Sequence, residues 1–131
     1  MKALDTNVVV RFLLGDDPRQ GARARRRLVE AEATGEPLLL SIPVMLELIW
    51  VLTAVYDFPR AEVLEALDLL AGMPALGFES YELVIELVRR GRAGNDDLPD
   101  LLIGLWAAER GCGSTLTFDK ALPPTGLFES V

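Results

Sequence analysis

Histidine is absent from this chain of 131 residues, and cysteine occurs once, at Cys112. A lone cysteine forms no internal disulfide, and without histidine or a second cysteine there is no zinc site of the usual spacing. Acyl-transfer chemistry has little to work with, because no imidazole is present to activate a serine or cysteine. Long apolar runs are missing as well. None approaches the roughly 20 residues that cross a bilayer, and Asp5 interrupts the N-terminus too early for the apolar core of a signal peptide. The expected setting is the cytoplasm, with no membrane involved.

Positive charge is scarce: 13 Lys and Arg against 20 Asp and Glu leave a formal net charge of -7. General adhesion to nucleic acid depends on cations set against phosphates and is not expected here. The local distribution departs from the sum. Between Pro18 and Val29 there is no acid, and Arg19, Arg23, Arg26 and Arg27 follow the i, i+4, i+7, i+8 spacing of one helical face. That stripe is either a solvated face or a surface for RNA or a protein partner, and both uses stay open. Half of the residues are apolar, enough for one core, so residues 1–131 are expected to form a single domain.

Short apolar runs alternate with amphipathic ones. Lys2 to Asp5 reads as a short buried strand, with Thr6 and Asn7 offering caps for a helix over Val8 to Leu14. Gly15-Asp16-Asp17-Pro18 ends that helix and starts another, with Asp17 as N-cap and Pro18 as its first residue. Leu38 to Ser41 reads as a strand, and Ser41 and Pro43 open a helix through Glu47. Further helices are expected around Val63, Leu64, Leu67 and Leu70, from Tyr81 to Arg90, and from Leu98 to Arg110, which Gly111 closes. Gly91 to Asp97 reads as a surface loop, and Ala75 to Phe78 and Ser114 to Thr117 as strands. Trp50 and Trp106, in apolar helices, are expected in the core. The alternation predicts an α/β fold: a three-layer α/β/α sandwich around a central, mostly parallel sheet of roughly four to five strands.

Four acids stand at the edges of apolar runs: Asp5 after Met1 to Leu4, Glu47 inside Pro43 to Leu52, Asp100 before Leu101-Leu102-Ile103, and Asp119 after Leu116-Thr117-Phe118. An ionised carboxylate inside such a run costs several kcal/mol unless paired, hydrogen-bonded or bound to a metal. Glu47, with no cation near it in sequence, is therefore expected to be buried and compensated. Asp5 is equally a helix cap, Asp100 a first-turn acid behind Asp97, and Asp119 a turn residue. In a parallel sheet, residues that follow strands collect at one edge, where ligands bind. Clustered oxygen ligands select a hard divalent ion, Mg²⁺ or Mn²⁺. Such an ion permits phosphodiester hydrolysis by activated water, with no protein nucleophile.

Leu4-Asp5-Thr6-Asn7-Val8-Val9-Val10-Arg11, Glu47 in its apolar helix, Asp97-Leu98-Pro99-Asp100-Leu101-Leu102-Ile103 and Thr115-Leu116-Thr117-Phe118-Asp119-Lys120, in this order, resemble the PIN-domain ribonucleases, and among them the VapC-type toxins of toxin-antitoxin pairs. The resemblance implies that Asp5, Glu47, Asp100 and Asp119 are the acidic catalytic quartet, with Asp97 as an additional metal-site acid and Thr6, Asn7 and Thr117 in support. It also implies Mg²⁺ or Mn²⁺ dependence, an RNA substrate, a homodimer, and neutralisation by a cognate VapB-type antitoxin. Pro99 stands where relatives usually carry a small residue, and the first turn of a helix tolerates it. The competing readings are an Mg²⁺-dependent phosphoryl-transfer protein of receiver or phosphatase type, and a non-catalytic module whose acidic pocket receives a basic peptide. Asp5-Thr6-Asn7 lacks the second acid of the Asp-x-Asp motif that the first would need.

Overall fold

The computed structural model describes residues 1–121 and 125–131. The chain forms two compact units, Met1–Tyr81 and Glu82–Val131.

In the first unit, helix α1 (Thr6–Leu14) starts where Asp5, in extended conformation, accepts a hydrogen bond from the Thr6 N–H through Oδ1 at 2.8 Å. Capping thus falls to Asp5 rather than to Thr6 or Asn7, and Thr6 is buried in the first turn. Gly15 closes α1 at φ 63°, a left-handed conformation that costs glycine little. Helix α2 (Pro18–Thr34) begins as the sequence predicts: Asp17 Oδ1 accepts from the Gln20 N–H at 3.0 Å, and Pro18 opens the helix. Its small residues Gly21 and Ala24 are buried with Leu28 and Ala31. A Cβ at Gly21 would lie 3.2 Å from the Arg11 carbonyl oxygen, so the glycine sets how closely α1 and α2 approach.

Strand β1 (Leu38–Leu40) pairs in parallel with β2 (Leu76–Phe78), Leu38 opposite Leu76 and Leu40 opposite Phe78. The first strand expected from sequence shrinks to a bridge between Ala3 and Leu39, held by Leu4 N–H to Leu39 O at 2.9 Å and Leu39 N–H to Lys2 O at 2.8 Å. Met1 to Ala3 are exposed rather than buried. Asp5 turns the chain into helix at once, which leaves too few residues to extend the pairing. Between β1 and β2 run α3 (Ile42–Trp50), a π-helical segment (Val51–Val55) and α4 (Arg60–Ala71). Leu40, Met45, Leu48, Ile49, Leu52, Val63, Leu67 and Leu70 are fully buried. Each such side chain contributes about 1.5–3 kcal/mol over exposure.

The second unit holds helix α5 (Tyr81–Ala93) from Glu82 onward, then α6 (Leu98–Glu109), β3 (Thr115–Thr117) and β4 (Phe128–Ser130). Helix α5 continues through Gly91, which is buried, so the loop expected from Gly91 begins only after Ala93. Asp97 caps α6, its Oδ1 accepting from the Asp100 N–H at 3.0 Å. Strand β4, too short to show periodicity and not expected from sequence, pairs in parallel with β3, Thr115 opposite Phe128. Gly104 of α6 lies against this segment: a Cβ there would stand 2.9 Å from Phe128 Cε2 and 3.0 Å from Leu127 Cβ.

The α/β class stands. Among the described residues the strands make two parallel pairs, one in each unit, and the single sheet of four to five strands goes beyond what these pairs show. No described helix is long and apolar enough to cross a membrane.

Candidate active site

In the second unit the residues Asp97-Leu98-Pro99-Asp100 form the entry to α6. Because Asp97 is the cap, Asp100 falls within the first helical turn, half-buried and followed by the buried Leu101 and Leu102. Burial raises the pKa of the Asp100 carboxyl, and the charges of Asp97 and Asp119 raise it further. Asp119 follows β3 in a side-chain-braced turn. Its N–H donates to Thr117 Oγ1 at 3.0 Å, and its Oδ1 accepts from the Ala121 N–H at 3.1 Å. Thr117 therefore fixes the backbone that carries Asp119 rather than its carboxylate. Asp100 thus feels the charge of Asp97, three residues before it, and of Asp119, beyond strand β3.

In the first unit Asp5 spends Oδ1 on the α1 cap, while Oδ2 makes no hydrogen bond among the described residues. Asn7 is exposed beside it in the first turn of α1. Glu47 differs from expectation: it is exposed. Helix α3 buries Ile42, Met45, Leu48 and Ile49, and Pro43, Glu47 and Trp50 occupy the opposite, open stripe. An apolar run is not a buried face all round, and the i, i+4, i+7 spacing of these three residues carries Glu47 away from the core. The desolvation argument for its role therefore fails. What remains is a carboxylate with no hydrogen bond or ion pair among the described residues, free to meet a ligand.

The tryptophans correct the sequence reading in the same way. Trp50 is 59% exposed, and Trp106 is 39% exposed with the Arg110 guanidinium 3.9 Å from its ring centroid. A cation over the indole face is a surface arrangement.

Among the described residues no three His, Cys, Asp or Glu side chains are gathered closely enough to make a metal site by themselves. The donor chemistry nonetheless fits a hard divalent cation. Asp97, Asp100 and Asp119 offer only oxygens, and the negative charge of Asp100 is disfavoured by burial and by both neighbours, a penalty a cation would relieve.

The arginine stripe is divided by the fold. Arg23, Arg26 and Arg27 line a cleft of about 730 Å³ between α1 and α2, together with Asn7, Arg11 and Gln20, whereas Arg19 lies outside its lining. Arg11 and Gln20 were not among the residues the sequence pointed to. They meet through an Arg11 Nε to Gln20 Oε1 hydrogen bond of 2.8 Å that spans two helices, so no periodicity within one helix reveals it. Arg89 and Arg90 of α5 are both engaged by Glu86, at 2.6 and 2.8 Å.

No curated protein and no solved structure matches the chain significantly. The family model of the PIN domain matches residues 2–125. Proteins with this domain are generally metal-dependent nucleases. With the match running over nearly the whole sequence, through Asp5, Glu47, Asp97, Asp100 and Asp119, the chain belongs to the PIN-domain family.

Proposed function

We propose that this protein is an endoribonuclease of the VapC toxin type, a single PIN-like nuclease domain over residues 1–131 that hydrolyses RNA phosphodiester bonds with Mg²⁺ or Mn²⁺. The observation that carries the reading is the Asp100 carboxyl, half-buried and under the charges of Asp97 and Asp119, in a chain of the PIN family. Asp5, Glu47, Asp100 and Asp97 would hold the cation. When bound, such an ion lowers the pKa of a water and neutralises charge developing at phosphorus.

The chain's own residues supply the rest. Asp5 presents Oδ2 from a fixed helix cap, Thr6 anchors that cap by its burial, and Asn7 stands at the rim as an amide donor and acceptor. Thr117 holds the turn that presents Asp119. Glu47, on the open stripe of α3, is available without breaking any structural pair. The resemblance to VapC-type toxins extends the proposal to a cytoplasmic homodimer neutralised by a cognate VapB-type antitoxin.

Purified protein incubated with RNA tests the reading. Cleavage is expected with millimolar Mn²⁺ or Mg²⁺, abolished by EDTA, and reduced at least about 100-fold in Asp5→Asn, Glu47→Gln and Asp100→Asn, as expected when a group acting on the reacting phosphate is removed. Because attack comes from water, products should lack 2′,3′-cyclic phosphate ends. Cleavage that persists in EDTA, or that leaves cyclic ends, would refute the proposal.

A further inference from the structure

We infer that the cleft between α1 and α2 is the binding groove for the sugar-phosphate backbone of single-stranded RNA. The inference rests on the ribonuclease reading and adds where the substrate strand lies.

The first reason is charge that the protein leaves largely unpaired. Arg23 and Arg26 line the cleft and make no hydrogen bond or ion pair among the described residues, and Arg27 has only a 3.5 Å contact with Glu30 in which both side chains are largely exposed. Placed one turn apart on α2, these guanidiniums repel one another, and like-charge pairs at this spacing cost a helix a few tenths of a kcal/mol each. A chain with net charge -7 that sets unpaired arginines along one helix side has a local cationic surface that its overall charge does not provide elsewhere. Arginine also suits phosphate oxygens better than lysine does, through its planar fork of donors.

The second reason is the shape and lining. At about 730 Å³ the cleft is an open groove of ligand-binding size, and among the described residues its remaining polar walls are the side-chain amides of Asn7 and Gln20 and the carboxylate of Glu30, which stands 3.5 Å from Arg27. Arg11 forms the opposite wall, held in place by Asp16 at 3.1 Å and by Tyr56 at 3.3 Å. Among the described residues Val8 and Ala24 are the only apolar contributors to the lining. A helical protein segment would need a hydrophobic groove, so the lining favours a polyanion with hydrogen-bonding sugars over a peptide. The third reason is position. Asn7 belongs both to the cleft lining and to the first turn of α1, whose cap is Asp5. A strand in the groove therefore passes the helix end that carries one of the proposed catalytic acids.

Charge-matched double variants test the inference: Arg23→Gln/Arg26→Gln inside the cleft, and Arg19→Gln/Arg25→Gln outside its lining. Binding of a fluorescently labelled single-stranded RNA oligonucleotide is followed by anisotropy in EDTA, between about 50 and 200 mM salt, and cleavage is measured separately with Mn²⁺. The cleft variant should bind about tenfold more weakly than the unmodified protein. Its log–log salt slope should fall by about 1.4, some 0.7 for each phosphate of a single strand that is no longer neutralised. The outer variant should change affinity less than about threefold. Circular dichroism should show equal melting for both.

Equal weakening in the two variants would reduce the effect to overall charge and overturn the inference, as would no weakening in either, or no RNA binding by the unmodified protein. Poly-glutamate that competes on equal terms with RNA of the same charge would assign the cleft to acidic protein partners instead. If the unmodified protein cleaves RNA while the cleft variant binds it normally, the groove fails and the ribonuclease reading survives. If the cleft variant no longer binds but the unmodified protein cuts no RNA, the groove survives and the ribonuclease reading fails.

Discussion

Glu47 carries the clearest lesson at the scale of single residues. Its sequence setting implies burial, yet it stands on the open side of α3 with no partner among the described residues. Glu47→Gln should therefore leave the chemical denaturation midpoint within the roughly ±0.5 kcal/mol typical of surface changes, while RNA cleavage is abolished; a large destabilisation would show that the carboxylate makes a structural pair. Glu86 is the opposite case, an acid with a structural task. Hydrogen bonds from Arg89 and Arg90 lower its pKa from 4.5 to about 2. A depressed acid contributes stability that is present above the unfolded value of 4.5 and disappears as pH falls toward about 2. Because Arg89 is 64% exposed and Glu86 33%, solvent screening limits the contribution to roughly 0.5–1 kcal/mol. Comparing melts of the unmodified protein and Glu86→Gln, the difference should be present at pH 7 and should close between pH 4.5 and 2; a gap that does not change with pH would contradict the pairing.

Elements were most readable where local chemistry dictates their ends. Asp17-Pro18 at the start of α2, Ser41 at the start of α3 and Asp97 before α6 all function as the sequence predicts, because a cap is decided by a few adjacent groups. Elements decided by packing were harder to see. Helix α5 overruns its expected end at Arg90 through Gly91, which is buried, and β4 is three residues held by pairing with β3 and by packing of Phe128 against Gly104 of α6. The same packing makes Gly104 a sensitive position. Alanine normally improves a helix over glycine by about 1 kcal/mol, but the added Cβ would meet Phe128 and Leu127 at 2.9 and 3.0 Å. The Leu127 Cβ is fixed to the backbone and yields little, and overpacking costs about 1–3 kcal/mol. Gly104→Ala should therefore be net destabilising by about 1 kcal/mol in urea unfolding; a gain in stability would mean that α6 relaxes freely against Leu127 and Phe128.

For the whole molecule, the sequence pointed to the α/β class through its alternation of elements and to the PIN-domain family through the order of its motifs, and the family match agrees with both. It did not reveal which faces of the helices are open, because an apolar run of nine residues looks the same whether one side or all sides are covered. That is why Glu47, Trp50 and Trp106 lie at the surface against expectation, and why the arginine stripe turned out to be split between a cleft and free solvent. Everything proposed for the chemistry depends on the acids of this PIN domain holding a divalent cation. The most direct test is a Mn²⁺ titration monitored by the melting temperature of the unmodified protein and of Asp100→Asn. Without metal, Asp100→Asn should melt at or above the unmodified protein, since burial and the charges of Asp97 and Asp119 disfavour the ionised carboxylate. Mn²⁺ should stabilise the unmodified protein, by about 2.7 kcal/mol at a hundredfold excess over the dissociation constant, and stabilise the variant far less. Melting curves unmoved by millimolar Mn²⁺, or moved equally in both proteins, would contradict cation binding by these acids.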